Sequence, residues 1–203
     1  MKKISLFGAG GHSFATIELI RSLDEYNPVI VFDDNPAYKE ILNVPVEKYN
    51  GEVLPSKSLC ITIGNNKNRK KVASLFNAEL PIFVHDSVTK YPSVILGKGS
   101  VVLPNVVLDA DVSVGDFCII NNNATVSHNV KMENFVHIAI QVAVAGGVKI
   151  GEGTLVGAGS VILPEIKIGK WVTIGAGAVV TKDIPDYAVV YGNPSKIIKY
   201  NKK

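Results

Sequence analysis

Four histidines, His12, His85, His128 and His137, and two cysteines, Cys60 and Cys118, are the side chains of this chain best suited to proton transfer or nucleophilic attack. His128 is the most informative. It follows Val126 by two places, in a run where every sixth residue is apolar, so its side chain is expected to point away from the core that run builds. If three hexads make one coil, Ala110 and Gly146 stack directly below and above it. Neighbours this small leave a notch around the imidazole and expose a backbone N–H beside it. A base that titrates near neutrality, next to a free amide donor, is what acyl transfer requires. An outward histidine that is merely solvated is the plainer reading, and geometry alone leaves both open. The next residue, Asn129, can orient the ring and fix its tautomer but supplies no negative charge.

A second cluster lies near the start. Gly8-Ala9-Gly10-Gly11-His12 follows a short apolar run and precedes a helical pattern. Glycines let a backbone approach a phosphate, and a helix N-terminus favours anions. The third glycine of the dinucleotide fingerprint is missing. Asp33-Asp34 ends the next strand, where an acid can meet a ribose or a base edge. A structural turn with a strand-capping acid is the alternative.

The elements that must position these residues follow two rules. Through residue 85, strands alternate with helices. Strands are expected at Lys3–Phe7, Pro28–Phe32, Leu59–Ile63 and Pro81–Val84. Phe14, Ile17, Ile20 and Leu23 trace a helical face, and Asn68–Phe76 forms a basic helix. This is the grammar of a small parallel sheet with helices on its faces, a Rossmann-like domain over residues 1–85.

Residues 86–203 obey a period of six. From Leu96 to Val180, fifteen positions in one register are apolar, and the position four later is small or β-branched each time, from Ser100 to Ile184. Neither a helix nor an ordinary strand gives this period. A six-residue repeat builds one flat face of a parallel β-helix. Fifteen hexads make five three-sided coils, a prism about 24 Å tall at the usual strand spacing. The overall class is therefore α/β followed by all-β. His85 falls at the junction and reads as structural.

Composition narrows the function. The chain has 203 residues, 47% of them apolar, and a net charge of +3 with only two arginines, Arg21 and Arg69. No basic stripe with interleaved aromatics is present, so nucleic acid is not an expected partner. The basic end, Lys196 to Lys203, reads as solvated. No apolar stretch is long enough to span a membrane, and no signal peptide is evident, so a cytoplasmic location is expected. The two cysteines sit 58 positions apart in apolar runs and read as small buried hydrophobes.

The chain resembles, over nearly its full length, the bacterial sugar acyltransferases that N-acetylate nucleotide-linked amino sugars, including the UDP-4-amino-sugar enzyme of bacillosamine synthesis. Sialic acid O-acetyltransferases are near relatives. The resemblance rests on Phe7–His12, Asp33-Asp34, Ile63-Gly64-Asn65-Asn66 with Arg69-Lys70-Lys71, Val126-Ser127-His128, Phe135-Val136-His137 and Gly192–Lys196. It implies a left-handed β-helix, acetyl-CoA as co-substrate, no metal, and a homotrimer. It implies that Gly10, Gly11, His12, Asp33, Asp34 and Gly64 contact the nucleotide-sugar. It makes His128 the general base, puts the Gly146 N–H near the oxyanion, and places His137, Ala158 and Ala176 at the acetyl-CoA site. Alanine that simply packs well in a repeat is the alternative for the last two.

The bacillosamine enzyme carries a Glu where this chain has Asn129, so a less basic His128 is expected here than with a carboxylate at that place. An amine depends less on a strong base than a hydroxyl does, and Asn129 therefore favours N- over O-acetylation. An O-acetyltransferase on a sialic acid or other sugar hydroxyl, and a catalytically silent sugar-nucleotide-binding protein, remain the alternatives. A γ-type carbonic anhydrase shares the β-helix but needs three zinc-binding histidines, and only His128 and His137 lie on the repeat. Outward apolar residues such as Leu103, Ile140 and Trp171 are expected to support a subunit interface, and for Trp171 cover of that interface and stacking on adenine are both open.

Overall fold

The structure, a computed structural model, describes residues 1–201. The chain divides into two compact units, Met1–Phe83 and Val84 onward.

The first unit holds a five-stranded sheet. Its elements are β1 (Lys2–Phe7), α1 (Gly11–Ser22), β2 (Tyr26–Asp33), β3 (Glu40–Ile41), β4 (Val44–Lys48), β5 (Ser58–Ile61) and α2 (Asn66–Ala73). Their order in the sheet is β3-β4-β2-β1-β5. The last four are parallel, with Phe7 opposite both Phe32 and Ile61, and β3 closes one edge as an antiparallel hairpin with β4. Ile4, Leu6, Val31, Phe32, Leu59 and Cys60 bury the centre. Strands covered on both faces read as continuous apolar runs, which is why β1, β2 and β5 stand out in the sequence.

Three details go beyond the sequence reading or depart from it. The hairpin β3–β4 is absent from the sequence reading, because Pro45 and the polar residues around it mask a short edge strand. Helix α1 buries Ser13, Thr16, Ile17, Leu19 and Ile20, while Phe14 is exposed and meets the Tyr38 ring edge-on. The strand expected at Pro81–Val84 does not join this sheet. It shortens to Phe83–Val84 and becomes the first rung of the solenoid.

The second unit is a parallel β-solenoid, a left-handed β-helix. Two-residue strands β6 to β22 start at Phe83–Val84 and recur every six residues to Val179–Val180. They stack into three sheets, each strand pairing with those eighteen residues before and after it. The prism thus begins two rungs before Leu96 and falls just short of six coils. The early rungs are hidden in the sequence because Lys90 occupies an inward slot that the open end leaves exposed. All inward hexad positions from Val102 to Val180 are buried. The second inward row, Ser100 to Ile184, is buried too. Its polar members are satisfied by bridging coils: Ser100 Oγ donates to Gly115 O and accepts from Cys118 N, and Thr154 Oγ1 donates to Gly169 O and accepts from Val172 N.

The basic end expected to be solvated is exposed, and it forms a strand. After β23 (Ala188–Tyr191), a turn with a cis Asn193–Pro194 bond leads to β24 (Lys196–Tyr200), antiparallel to β23 and exposed throughout. Lys202 and Lys203 lie outside the described residues. Both cysteines are buried, and desolvation pushes the Cys60 thiol up to about 12.

Candidate active site

The corner between Thr125–Val126 and Lys131–Met132 carries His128 outward, and the register of the coils brings Gly146 against it. A β-carbon on Gly146 would lie 2.5 Å from His128 Cε1 and 2.7 Å from Nε2, so the ring occupies the room that the missing side chain leaves. The Gly146 N–H makes no hydrogen bond among the described residues. The imidazole and this unpaired amide therefore share one corner of adjacent coils. Below, Ala110 contributes its carbonyl, which accepts from Asn129 N at 2.9 Å.

Asn129 holds the ring. Its Oδ1 stands 2.9 Å from His128 Nδ1, and its Nδ2 donates to Asp111 Oδ2 at 2.8 Å. Asp111 does not stand out in the sequence. The eighteen-residue stacking that picks out Ala110 and Gly146 for His128 places Asp111 under Asn129 by the same rule.

His137 lies in the neighbouring sheet, paired with Ile119 and Leu155, half-buried. Ala158 and Ala176 occupy one column, joined by the Gly177 N–H donating to Ala158 O at 2.8 Å. Each sits between two glycines. Gly159 and Gly177 take left-handed backbones with open space where a side chain would stand. The corner is therefore a smooth strip along the prism. Of the three outward apolar residues expected at an interface, only Ile140 is well exposed; Leu103 is 2% exposed, and Trp171 lies half-buried over Gly153.

In the first unit, a cavity of about 540 Å³ opens at the carboxyl ends of β1, β2 and β5. This is where open parallel sheets bind ligands. Gly10, Gly11, His12, Asp33, Asp34 and Gly64 all line it. Gly10 and Gly11 have nothing within 4 Å of a built β-carbon, so they are small toward the cavity rather than for packing. The N-cap of α1 is Gly10, and no side chain caps it. Asp33 ties the loop together: its Oδ2 accepts from Ala9 N at 2.7 Å and its Oδ1 from Asn35 N at 2.9 Å. Asp34 is exposed at the cavity's rim.

Sequence reasoning gives Asn68 and Lys71 no place at the cavity, which both line from α2, and understates Gly8 and Arg69. Gly8 has φ +112°, and a β-carbon there would strike Ile63 Cγ1 at 2.5 Å. The buried Arg69 guanidinium donates to Ile63 O at 2.9 Å, Gly64 O at 3.1 Å and Asn66 Oδ1 at 2.8 Å, fixing the far wall. A basic run on a short helix hides which of its members turns inward.

Among the described residues, no group of three His, Cys, Asp or Glu side chains is placed to hold a metal ion, and no helix is long and apolar enough to cross a membrane.

A family model described as the PglD N-terminal domain matches residues 3–76. The six-repeat bacterial transferase hexapeptide model matches residues 129–164 and 147–182. No curated protein matches the chain. Among solved structures, the acetyltransferase domain of PglB from Neisseria gonorrhoeae is 33% identical over 98% of this chain and 100% of that one, with a TM-score of 0.90. The same domain in complex with acetyl coenzyme A is 34% identical over 97% and 99%, with a TM-score of 0.89. A histidine-to-asparagine variant of perosamine N-acetyltransferase from Caulobacter crescentus, in complex with CoA and GDP-perosamine, is 31% identical over 98% of each chain, with a TM-score of 0.90.

Proposed function

The chain belongs to the bacterial sugar N-acetyltransferases that join a PglD-type N-terminal domain to a hexapeptide-repeat β-helix, and on that premise we propose that it acetylates the amino group of a nucleotide-linked sugar, with His128 as general base. Acetyl-CoA is the acyl donor. The observation that carries the reading of the site is the imidazole of His128 seated on Gly146, with the Gly146 amide beside it.

The transfer is direct. The neutral amine of the sugar attacks the thioester carbonyl carbon, and its proton passes to Nε2 of His128. The Gly146 N–H donates to the oxygen that becomes negative as the carbon turns tetrahedral. The C–S bond then breaks and coenzyme A leaves as a thiolate, which the protonated imidazole can neutralise. His137 and the strip formed by Ala158 and Ala176 seat the pantetheine arm, because side chains this small let an extended ligand lie along the prism.

The cavity of the first unit takes the nucleotide. The uncapped N-terminus of α1 and Lys71 favour the diphosphate, and Asp34 faces a ribose or base edge. Asp33 supports the glycine loop from behind. On this reading the chain works in the cytoplasm, and the active assembly is a homotrimer; the trimer is supported by the hexapeptide repeat and by the exposed apolar side chains of Ile140, Val161 and Leu163.

The test is thiol release from acetyl-CoA against a panel of UDP-, GDP- and dTDP-linked amino sugars, with His128→Ala as control. Turnover on one amino sugar, lost in the variant, is expected. Turnover retained by His128→Ala would remove the base assignment. Acetylation of sugar hydroxyls alone would move the chain to O-acetylation.

A further inference from the structure

We infer that Asp111 is a positioning residue for His128 and acts through the side-chain amide of Asn129; the inference rests on His128 being the general base. The three side chains form one line, His128 Nδ1 to Asn129 Oδ1 at 2.9 Å and Asn129 Nδ2 to Asp111 Oδ2 at 2.8 Å.

The direction of this line follows from donor and acceptor chemistry. An ionised carboxylate only accepts hydrogen bonds, so Asp111 selects the NH2 end of the Asn129 amide. That turns the amide oxygen toward the ring. An amide oxygen also only accepts, so Nδ1 must carry the ring proton. Nε2 is then left with its lone pair, and Nε2 is the nearer of the two ring nitrogens to the Gly146 β-carbon position, at 2.7 Å against 3.1 Å for Nδ1. Without Asp111, Asn129 can present either end to the ring, and one of the two leaves Nε2 protonated and useless as a base.

The solenoid supplies the geometry. Asp111 and Asn129 stand one coil apart at the same corner, with φ of 59° each, a left-handed backbone that Asp and Asn tolerate. Their side chains therefore leave the prism side by side. Asp111 is itself anchored where its N–H donates to Ser93 Oγ at 3.0 Å. The next residue up the column is Gly147, and the room its missing side chain leaves is taken by the carboxylate of Glu165 from the coil above, which makes no hydrogen bond to Asn129 among the described residues. Once His128 takes up the substrate proton, the carboxylate also stabilises the imidazolium through the polarised amide. The negative charge that Asn129 lacks is thus present one coil away.

The test uses Asp111→Asn, which keeps size and backbone preference but accepts either orientation of Asn129. We expect kcat to fall about tenfold, with KM for both substrates within about twofold and the melting temperature unchanged. In 15N spectra the His128 ring moves from the Nδ1–H tautomer toward a mixture. Asn129→Asp alone sets two carboxylates against each other and also lowers kcat. The exchange Asp111→Asn with Asn129→Asp puts a carboxylate directly on Nδ1–H with an amide donor behind it, and restores kcat. A purely structural role for Asp111 predicts no such rescue. Parental kcat and tautomer in Asp111→Asn, or a double variant no better than the worse single one, overturns the inference. Failure of the general-base reading would show separately, as turnover in His128→Ala.

Discussion

The ring of His128 fills the space that a side chain on Gly146 would need, with Nε2 2.7 Å from the position of the missing β-carbon. The backbone of Gly146 is not left-handed, so the histidine one coil below, and not the turn, demands glycine there. Gly146→Ala should leave the solenoid folded and push the ring off its seat. We expect kcat to fall about 100-fold, the scale of losing one oxyanion donor or a placed base, with circular dichroism unchanged. Parental turnover in this variant would mean that the ring can work from elsewhere.

The glycines of the first loop should separate into two kinds. Gly8→Ala meets both a left-handed φ and a clash with Ile63, and should destabilise the first unit by about 2 kcal/mol or more in urea titration. Gly10→Ala and Gly11→Ala meet nothing within 4 Å. They should leave the urea midpoint in place and raise KM for the nucleotide-sugar alone. Equal effects at all three positions would contradict this.

Arg69→Lys should behave as a severe change. The planar guanidinium reaches Ile63 O, Gly64 O and Asn66 Oδ1 together, and an ammonium cannot. Leaving buried acceptors without a donor costs about 1–3 kcal/mol. The cavity wall at Gly64 should loosen with it, seen as faster amide exchange at Ile63 and Gly64 and weaker nucleotide-sugar binding.

Cys60 gives a pH signature. Burial raises its thiol from an ordinary 9.0 to about 12, so the folded state holds this proton more tightly than the unfolded chain. Its contribution to stability is complete below pH 9 and is lost as pH rises through about 12. Denaturation midpoints measured from about pH 8 to about pH 11 should fall more steeply in the parent than in Cys60→Ala. The native thiol should resist alkylating reagents until the first unit opens.

The repeat is the most legible feature, since an inward apolar residue every sixth place has no rival explanation. It dims at the open end, where Lys90 shows that a slot outside the closed prism has no need to be apolar. In the first unit, β1, β2 and β5 announce themselves through burial on both faces, whereas β3 and β4 at the edge do not. The site is legible as far as backbone and column stacking determine it. The His128–Gly146 contact is of that sort, whereas the six cavity residues come together as a set only through the family resemblance. Asp111 and Arg69 escape because their roles depend on which atom of a polar side chain faces which neighbour.

The coil also restricts how this chain can change in length. His128 meets Gly146, and Asn129 meets Asp111, only because eighteen residues separate each pair. One residue inserted between Asp111 and Asn129, or between His128 and Gly146, and not looped out at a corner, would slide every later strand to the wrong face and part these partners at once. A complete coil of eighteen added beyond Gly146 would disturb none of them. Length variation in the solenoid is therefore quantised: viable insertions and deletions come in whole turns or bulge out at the corners, and the smallest graft that could carry His128 with both its neighbours into another β-helix is the set of three consecutive coils holding Asp111, His128 and Gly146.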